Sequence, residues 1–548
     1  MKSGTLNTIA AAVLAVFATG ACANERAELE ALRDTTMNLI RALVEQGLLP
    51  RDRAEALIRD AEVRAKAARA AAEAPVAGAV AGATAGAAVA GAATTTGAVR
   101  AGDPQVVRVP YVPQSVRDEI RAQLREEIIA RARKERWGVP EALPEWLDTI
   151  TLEGDVRVRS QIDRFNDTNA AAFQFPPGYF PQGNAANTLV DRERMLLRGR
   201  FGATAHLSPS WSAGVRLTTG SIDSPVSTNQ TMGRYFNRSS ILLDRAFLRY
   251  DNRSWLSITG GRIANPFFAP SETVWAADLS FEGVAASIRP QVTPTFAPFV
   301  TVGAFPLEER EASSSDRWLT GVQAGFQWQV TPEIQVRTGA ALYDFRNLVG
   351  AREPVGSFVA GSPTYGQSQA RFRQKGNTTF NIADPAVSFA SPLYGLASEF
   401  RVSNVSALLS FTHFDPVTVQ LALDWVRNLA YDEASIQRRT GLLPSQLGPA
   451  SGSNGFEGRL SVGMASMRSR GDWQLFGGYR RLGSDSVVDA FNDPAFGLGG
   501  TNNRGYYLGA SYGLDRNVWI TTRFLSASEI KGPPLSIDVF QVDLNARF

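Results

Sequence analysis

Three observations predict an all-β transmembrane barrel of about 16 antiparallel strands, preceded by a periplasmic helical or coiled-coil segment. The chain ends on an alternating strand: Phe540, Val542, Leu544, Ala546 and Phe548 share one face, and Gln541, Asp543, Asn545 and Arg547 the other. Successive side chains of a strand point to opposite sides, so one face is wholly apolar and the other wholly polar. The same two-residue period recurs from Ile150 onward in segments too long and too cleanly sided for a soluble sheet. The connections between segments alternate between short turns and long loops, the pattern of barrels that cross an outer membrane.

Taken in order, residues 1–23 have the form of a secretory leader, with Lys2 at the start, an apolar stretch from Ile9 to Phe17 and the small-residue cleavage pattern Ala21-Cys22-Ala23. Cys22 is the sole cysteine. A lipobox prefers leucine where Thr19 stands, so cleavage after Ala23 is expected, leaving a mature chain with no disulfide. Residues 24–74 are helical by composition, with Leu29, Leu32, Leu39 and Leu43 on a short heptad seam. A hairpin packing on itself and a self-associating coiled coil both fit that seam. Residues 75–105 form an Ala/Gly-rich linker that cannot build a core. Residues 106–149 combine the proline-extended VVRVPYVP with a second helix, striped by Val116, Ile120, Leu124 and Ile128.

The barrel is expected over residues 150–548. Sixteen alternating segments start near residues 150, 191, 211, 241, 255, 278, 295, 317, 334, 396, 417, 456, 472, 504, 517 and 537. In the first, Leu152, Val156 and Ile162 alternate with Glu153, Arg157 and Asp163. Short turns fall at 208–210, 252–254, 290–294, 331–333, 415–416, 468–471 and 514–516; the long loops include 164–190, 221–240, 346–395, 428–455 and 484–503. Trp211, Trp255, Trp328, Trp473 and Trp519 adjoin short turns, as an interfacial aromatic girdle requires. Two places depart from the pattern. The segment 278–289, with Glu282, fits neither phase, and the apolar phase shifts at Ser403-Asn404, which is read as a bulge.

Several stretches resemble the putative porin family of Gram-negative outer membranes. They are VRVPYVPQSVRDEIRAQLREEIIARARKERWGVPEALPEWLDTITLEGDVRVR from residue 107, the leading helix ELEALRDTTMNLIRALVEQGLL, GGRIANPFF at 260–268 and GDWQLFGGYRRLGSD at 471–485. The resemblance implies an outer-membrane barrel with channel activity. It carries over no catalytic or solute-contacting residues.

Composition narrows the function further. A net charge of +3 over 548 residues gives no nucleic-acid footprint, although only five of the 56 basic residues are lysine. Outside the leader there is no apolar run of about 18 residues, which excludes helical spans, and the mean hydropathy of −0.13 suits alternating strands. Two histidines, His206 and His413, both beside short turns, are too few and too isolated for hydrolase or metal chemistry, so neither an enzyme nor a cofactor is expected. Sixteen strands leave an aqueous lumen, and passive diffusion of small polar solutes is the expected function. A structural anchor tethering the envelope through the periplasmic helices is the alternative.

On this phasing the lumen face carries Arg157, Arg159, Arg194, Arg198, Arg200, Arg216, Arg245, Arg249, Arg337, Arg459, Arg480 and Arg523, with Arg401 and Arg547. Half as many acids face them: Glu153, Asp155, Asp163, Glu399, Asp424, Glu457 and Asp543. Rings of basic side chains favour anions, so anionic solutes are expected to be preferred, unless the arginines pair with neighbouring acids. The longest loop, 346–395, is expected either to fold inward or to form an exposed surface feature. The partners expected are outer-membrane lipid, the barrel assembly machinery, addressed through Phe540, Val542, Leu544 and Phe548, and two further copies in a homotrimer.

Overall fold

The computed structural model describes residues 149–181, 186–310, 315–357, 372–384, 386, 393–442 and 450–548. The leader, the heptad seam at 24–74, the linker at 75–105 and the helix in 106–149 lie outside the described residues.

Among the described residues sixteen strands close into one antiparallel barrel. They are β1 (Ile150–Phe165), β2 (Arg192–Ser208), β3 (Trp211–Thr218), β4 (Leu242–Arg253), β5 (Leu256–Ala264), β6 (Ser280–Ile288), β7 (Phe296–Glu308) and β8 (Arg317–Thr331), followed by β9 (Ile334–Arg346), β10 (Phe400–Phe414), β11 (Val417–Asn428), β12 (Asn454–Gly463), β13 (Trp473–Leu482), β14 (Asn503–Asp515), β15 (Val518–Glu529) and β16 (Ser536–Arg547). Each pairs with the next, and β16 returns to β1 with Ile162 opposite Phe540 and Val158 opposite Leu544. Closure leaves no strand edge unpaired, which a hydrocarbon environment demands. At the seam Phe548 N donates to Gly154 O at 3.0 Å and Gly154 N to Phe548 O at 2.9 Å. The Phe548 ring lies against Gly154, where a Cβ would stand 2.4 Å from it. The terminal phenylalanine thus latches the barrel shut.

The outward face is the apolar one: Leu152, Val156, Phe201, Val215, Leu423, Leu508, Phe540 and Leu544 are all exposed. Trp211, Trp255 and Trp328 are exposed beside short turns, as a girdle requires. Trp519 departs from the expectation. It lies on the inward face of β15, opposite Asn545, with the Arg547 guanidinium 5.2 Å from its ring.

The two irregular segments have one explanation. β10 pairs with β9 in unbroken register from Phe400 to Phe411, so Ser403-Asn404 is not a bulge. Phe400, Val402, Asn404 and Ser406 all point inward and are buried, while Val405 points outward. In β6, Phe281 and Ala285 point inward, and Glu282 points outward to pair with Arg262 of β5. The apolar phase changes face because the interior beside β6–β10 is itself apolar. What fills it is a loop.

Candidate functional site

The β5–β6 connection, 265–279, folds into the barrel. Asn265 Oδ1 accepts from Phe267 N at 3.0 Å, which turns the chain inward at the end of a short strand. Phe267 then settles on Gly321 of β8, where an added Cβ would stand 2.5 Å from its ring. Its ring packs edge-on to Tyr343 at 5.0 Å, and Trp275 meets Tyr343 at 5.0 Å and Phe281 at 4.9 Å. Gln323 holds the Phe268 backbone by both N–H and C=O, at 2.7 and 2.9 Å. The loop crosses to the opposite wall, where Ser271 donates to Asp424 at 2.6 Å and Thr273 to Glu457 at 3.0 Å. Each buried Phe or Trp here is worth about 3–5 kcal/mol against truncation to Ala, so the loop is a fixed part of the interior.

The other wall is charged. Arg159 makes a two-pronged pair with Asp543 at 2.6 and 2.8 Å, with Arg523 3.8 Å from the same carboxylate. Arg194 pairs with Asp163 at 2.9 Å. Arg198 and Arg200 share Asp155, at 2.8 and 2.6 Å, and both reach Asp278 of the inward loop, at 3.7 and 3.0 Å. Arg480 binds Glu457 at 2.7 Å and Asp493 at 2.9 Å. Arg216 holds Asp244 at 2.5 Å. Asp244 faces inward because it is the extra residue of a bulge: Arg216 opposes Arg245, the next pair is Leu217 with Leu243, and Asp244 is skipped.

Five of the arginines expected on this face have no carboxylate partner among the described residues, one of them being Arg547 beside the Trp519 ring. Arg157 donates to Asn229 at 2.5 Å and Arg245 to Ser280 at 3.4 Å. Arg337 lies 4.2 Å above the Phe268 ring, and Arg459 lies 4.7 Å from the Phe476 ring. Arg249 pairs with Asp251 at 2.6 Å near the short-turn rim. Two expectations fail. Arg401 faces outward, paired with Asp344 at 3.0 Å, and Glu399 is exposed beside Arg439. Sequence phasing missed Asp244, Glu272, Asp278 and Asp493, because a bulge and two loops supply them. A cluster of Phe267, Phe268 and Trp275 in a connecting segment was the available signal, since solvated loops seldom carry three large aromatics.

Two cavities flank this constriction. One, of about 480 Å³, is lined by Arg216, Arg245, Arg249 and Arg289 together with Glu153 and Asp251; the other, of about 1080 Å³, by Asp244, Asp278 and Ser280 and by the apolar Trp275, Phe281, Phe305 and Leu319. Arg216 and Arg245 thus touch one space, and their partners Asp244 and Ser280 the other. At the long-loop rim, the described parts of loop 346–395 cross the mouth. Arg373 donates to Gly178 O of the β1–β2 loop at 2.9 Å and pairs with Asp489 at 3.4 Å; Lys375 pairs with Glu529 at 2.6 Å. Asp485 accepts from both the N–H and the hydroxyl of Thr378, at 2.9 and 2.6 Å. Burial pushes the Asp485 carboxyl up to about 6 and raises that of Asp489.

Among solved structures, the barrel is similar to OprB of Pseudomonas putida (14% identity, 74% of this chain and 96% of that one, TM-score 0.41). It is also similar to OmpF of Salmonella typhi in complex with daunomycin (10% identity, 73% and 97%, TM-score 0.38) and to a loop L8 deletion mutant of OmpT from Vibrio cholerae (10%, 73% and 100%, TM-score 0.38). No curated protein matches the sequence. The sequence model described as "Putative porin" matches residues 33–548, nearly the whole chain, and the chain belongs to that family of outer-membrane channels.

Proposed function

We propose that this barrel passes small polar solutes by passive diffusion and prefers anions. The observation that carries the preference is the imbalance at the constriction: Arg157 and Arg245 end on neutral partners, Asn229 and Ser280, beside arginines whose charge is already matched. A cation in a confined, low-dielectric passage that is not neutralised by a direct ion pair attracts mobile anions, even with Glu153 in the same cavity as Arg245. The ion pairs around it set the width more than the net charge. A homotrimer, and delivery by the assembly machinery through Phe540, Val542, Leu544 and Phe548, belong to the same reading. Purified protein in planar bilayers should give stepwise openings. A silent bilayer containing folded barrel would leave the structural-anchor role instead.

A further inference from the structure

The outward face of the barrel carries a sector of arginines that nothing in the channel account uses. On β11, β13 and β14 an outward arginine stands two residues above an outward aromatic, toward the long-loop rim: Arg427 above Trp425, Arg481 above Tyr479 and Arg504 above Tyr506. Arg481 and Arg504 are directly opposite each other in the ladder, which sets their Cβ atoms about 5 Å apart, a like-charge arrangement that costs stability unless an anion intervenes. None of the three has a carboxylate partner among the described residues.

The rest of the rim behaves differently. Outward Arg164 pairs with Asp191 and Glu193, Arg262 with Glu282, and Arg346 and Arg401 with Asp344. Toward the long-loop rim the outward faces of β11–β15 carry no Asp or Glu, and neither does the adjoining stretch 443–449. Arg481 also shares a recess of about 80 Å³ with Lys531. Aromatic side chains mark the boundary between hydrocarbon and headgroups, so cations one step beyond them sit at headgroup depth, where fixed anions are lipid phosphates. Arginine forks match phosphate oxygens in pairs.

We propose that Arg427, Arg481 and Arg504 bind the phosphates of a phosphorylated glycolipid in the outer leaflet, with Lys531 at the edge of the site. The site belongs to the barrel's outer wall and is independent of what passes through the lumen.

The test is native mass spectrometry of the full chain in detergent, titrated with bis-phosphorylated lipid A. The comparison is with a variant carrying Arg427→Gln, Arg481→Gln and Arg504→Gln. Binding should weaken about tenfold or more, as expected for losing two or more charge-assisted hydrogen bonds. Lipid A stripped of its phosphates should bind the unaltered protein as weakly as intact lipid A binds the variant. Unchanged heat-modifiability and single-channel conductance will show that the variant is a folded barrel. Equal binding by variant and parent, or by stripped and intact lipid, overturns the proposal. Displacement of lipid A by an equal concentration of inorganic phosphate overturns it too, because the site would then be one for free anions.

Discussion

Strands β6–β10 turn Phe281, Phe305, Leu319, Tyr343 and Phe400 inward, whereas β1–β4 turn Arg157, Arg198, Arg200, Arg216 and Arg245 inward. On the first wall the inward loop docks by burying aromatics against aromatics. On the second it offers Asp278 to two arginines, and its Glu272 lies near Arg480 and Arg523. The apolar wall has no use for water and is filled. The charged wall cannot be filled cheaply, because burying an arginine without a partner costs several kcal/mol; the smaller cavity lies along it, and the larger one runs between Asp244 and Asp278 and the apolar Phe281, Phe305 and Leu319. One loop thus sets the pore's position through its apolar side and its electrostatics through its acidic side.

Breaking the closing seam between β16 and β1 should have the largest effect. Deleting Phe548 removes the latch over Gly154. Heat-modifiable barrel in the outer membrane should fall sharply, with chain left in the periplasm; undiminished insertion would argue against the latch. Next comes the apolar wall alone. Phe267→Ala with Trp275→Ala removes two anchors of the inward loop, about 3–5 kcal/mol each. Single-channel conductance should rise and larger solutes should enter in liposome swelling. An unchanged size limit would show that the loop is held from the charged side.

Asp278→Asn isolates that charged side. Arg198 and Arg200 would keep Asp155 but lose their second carboxylate, so anion preference should grow while conductance changes little. A shift toward cations would show that Asp278 does not face the permeation path.

The smallest expected effect is at the mouth, outside both walls. Asp485 is raised to about 6 by burial from an ordinary value of 3.8, so between those values the mouth cap, residues 372–384 docked on Asp485 through Thr378, binds a proton that it releases on undocking. Stability of the cap therefore rises as pH falls from about 6 toward 3.8 and is lower at neutral pH. Asp489 shifts in the same direction through burial, against the pull of Arg373. Limited proteolysis within 372–384 should be slower at about pH 5 than at about pH 7.5, using a protease equally active at both. Faster cutting in acid would reverse the sign.

How much of this was legible follows from the same comparison. Where the interior is polar, alternation marks both faces, and β1, β2, β11 and β16 begin and point as their residues dictate. Where a loop fills the interior, apolar residues occupy both faces. Glu282, Phe400 and Val402 then look like errors of phase, although their strands are regular. The arginines were visible because strands display them periodically. Half of what compensates them was not, since Asp244 sits in a bulge and Asp278, Glu272 and Asp493 sit in loops brought close only by folding. Long-range placement of loop residues leaves no periodic trace, but the concentration of Phe267, Phe268 and Trp275 in one connection does.

On the proposed function, Arg157 and Arg245, which lack ion-pair partners, give the channel its anion preference. Reversal potentials across a planar bilayer in a salt gradient test it most directly, comparing the unaltered protein with an Arg157→Gln, Arg245→Gln variant. At low salt, where charges are felt beyond about 10 Å because screening is weak, the unaltered channel should be anion-preferring, and the variant should move toward cations. A cation-preferring or unselective unaltered channel at low salt would contradict the claim.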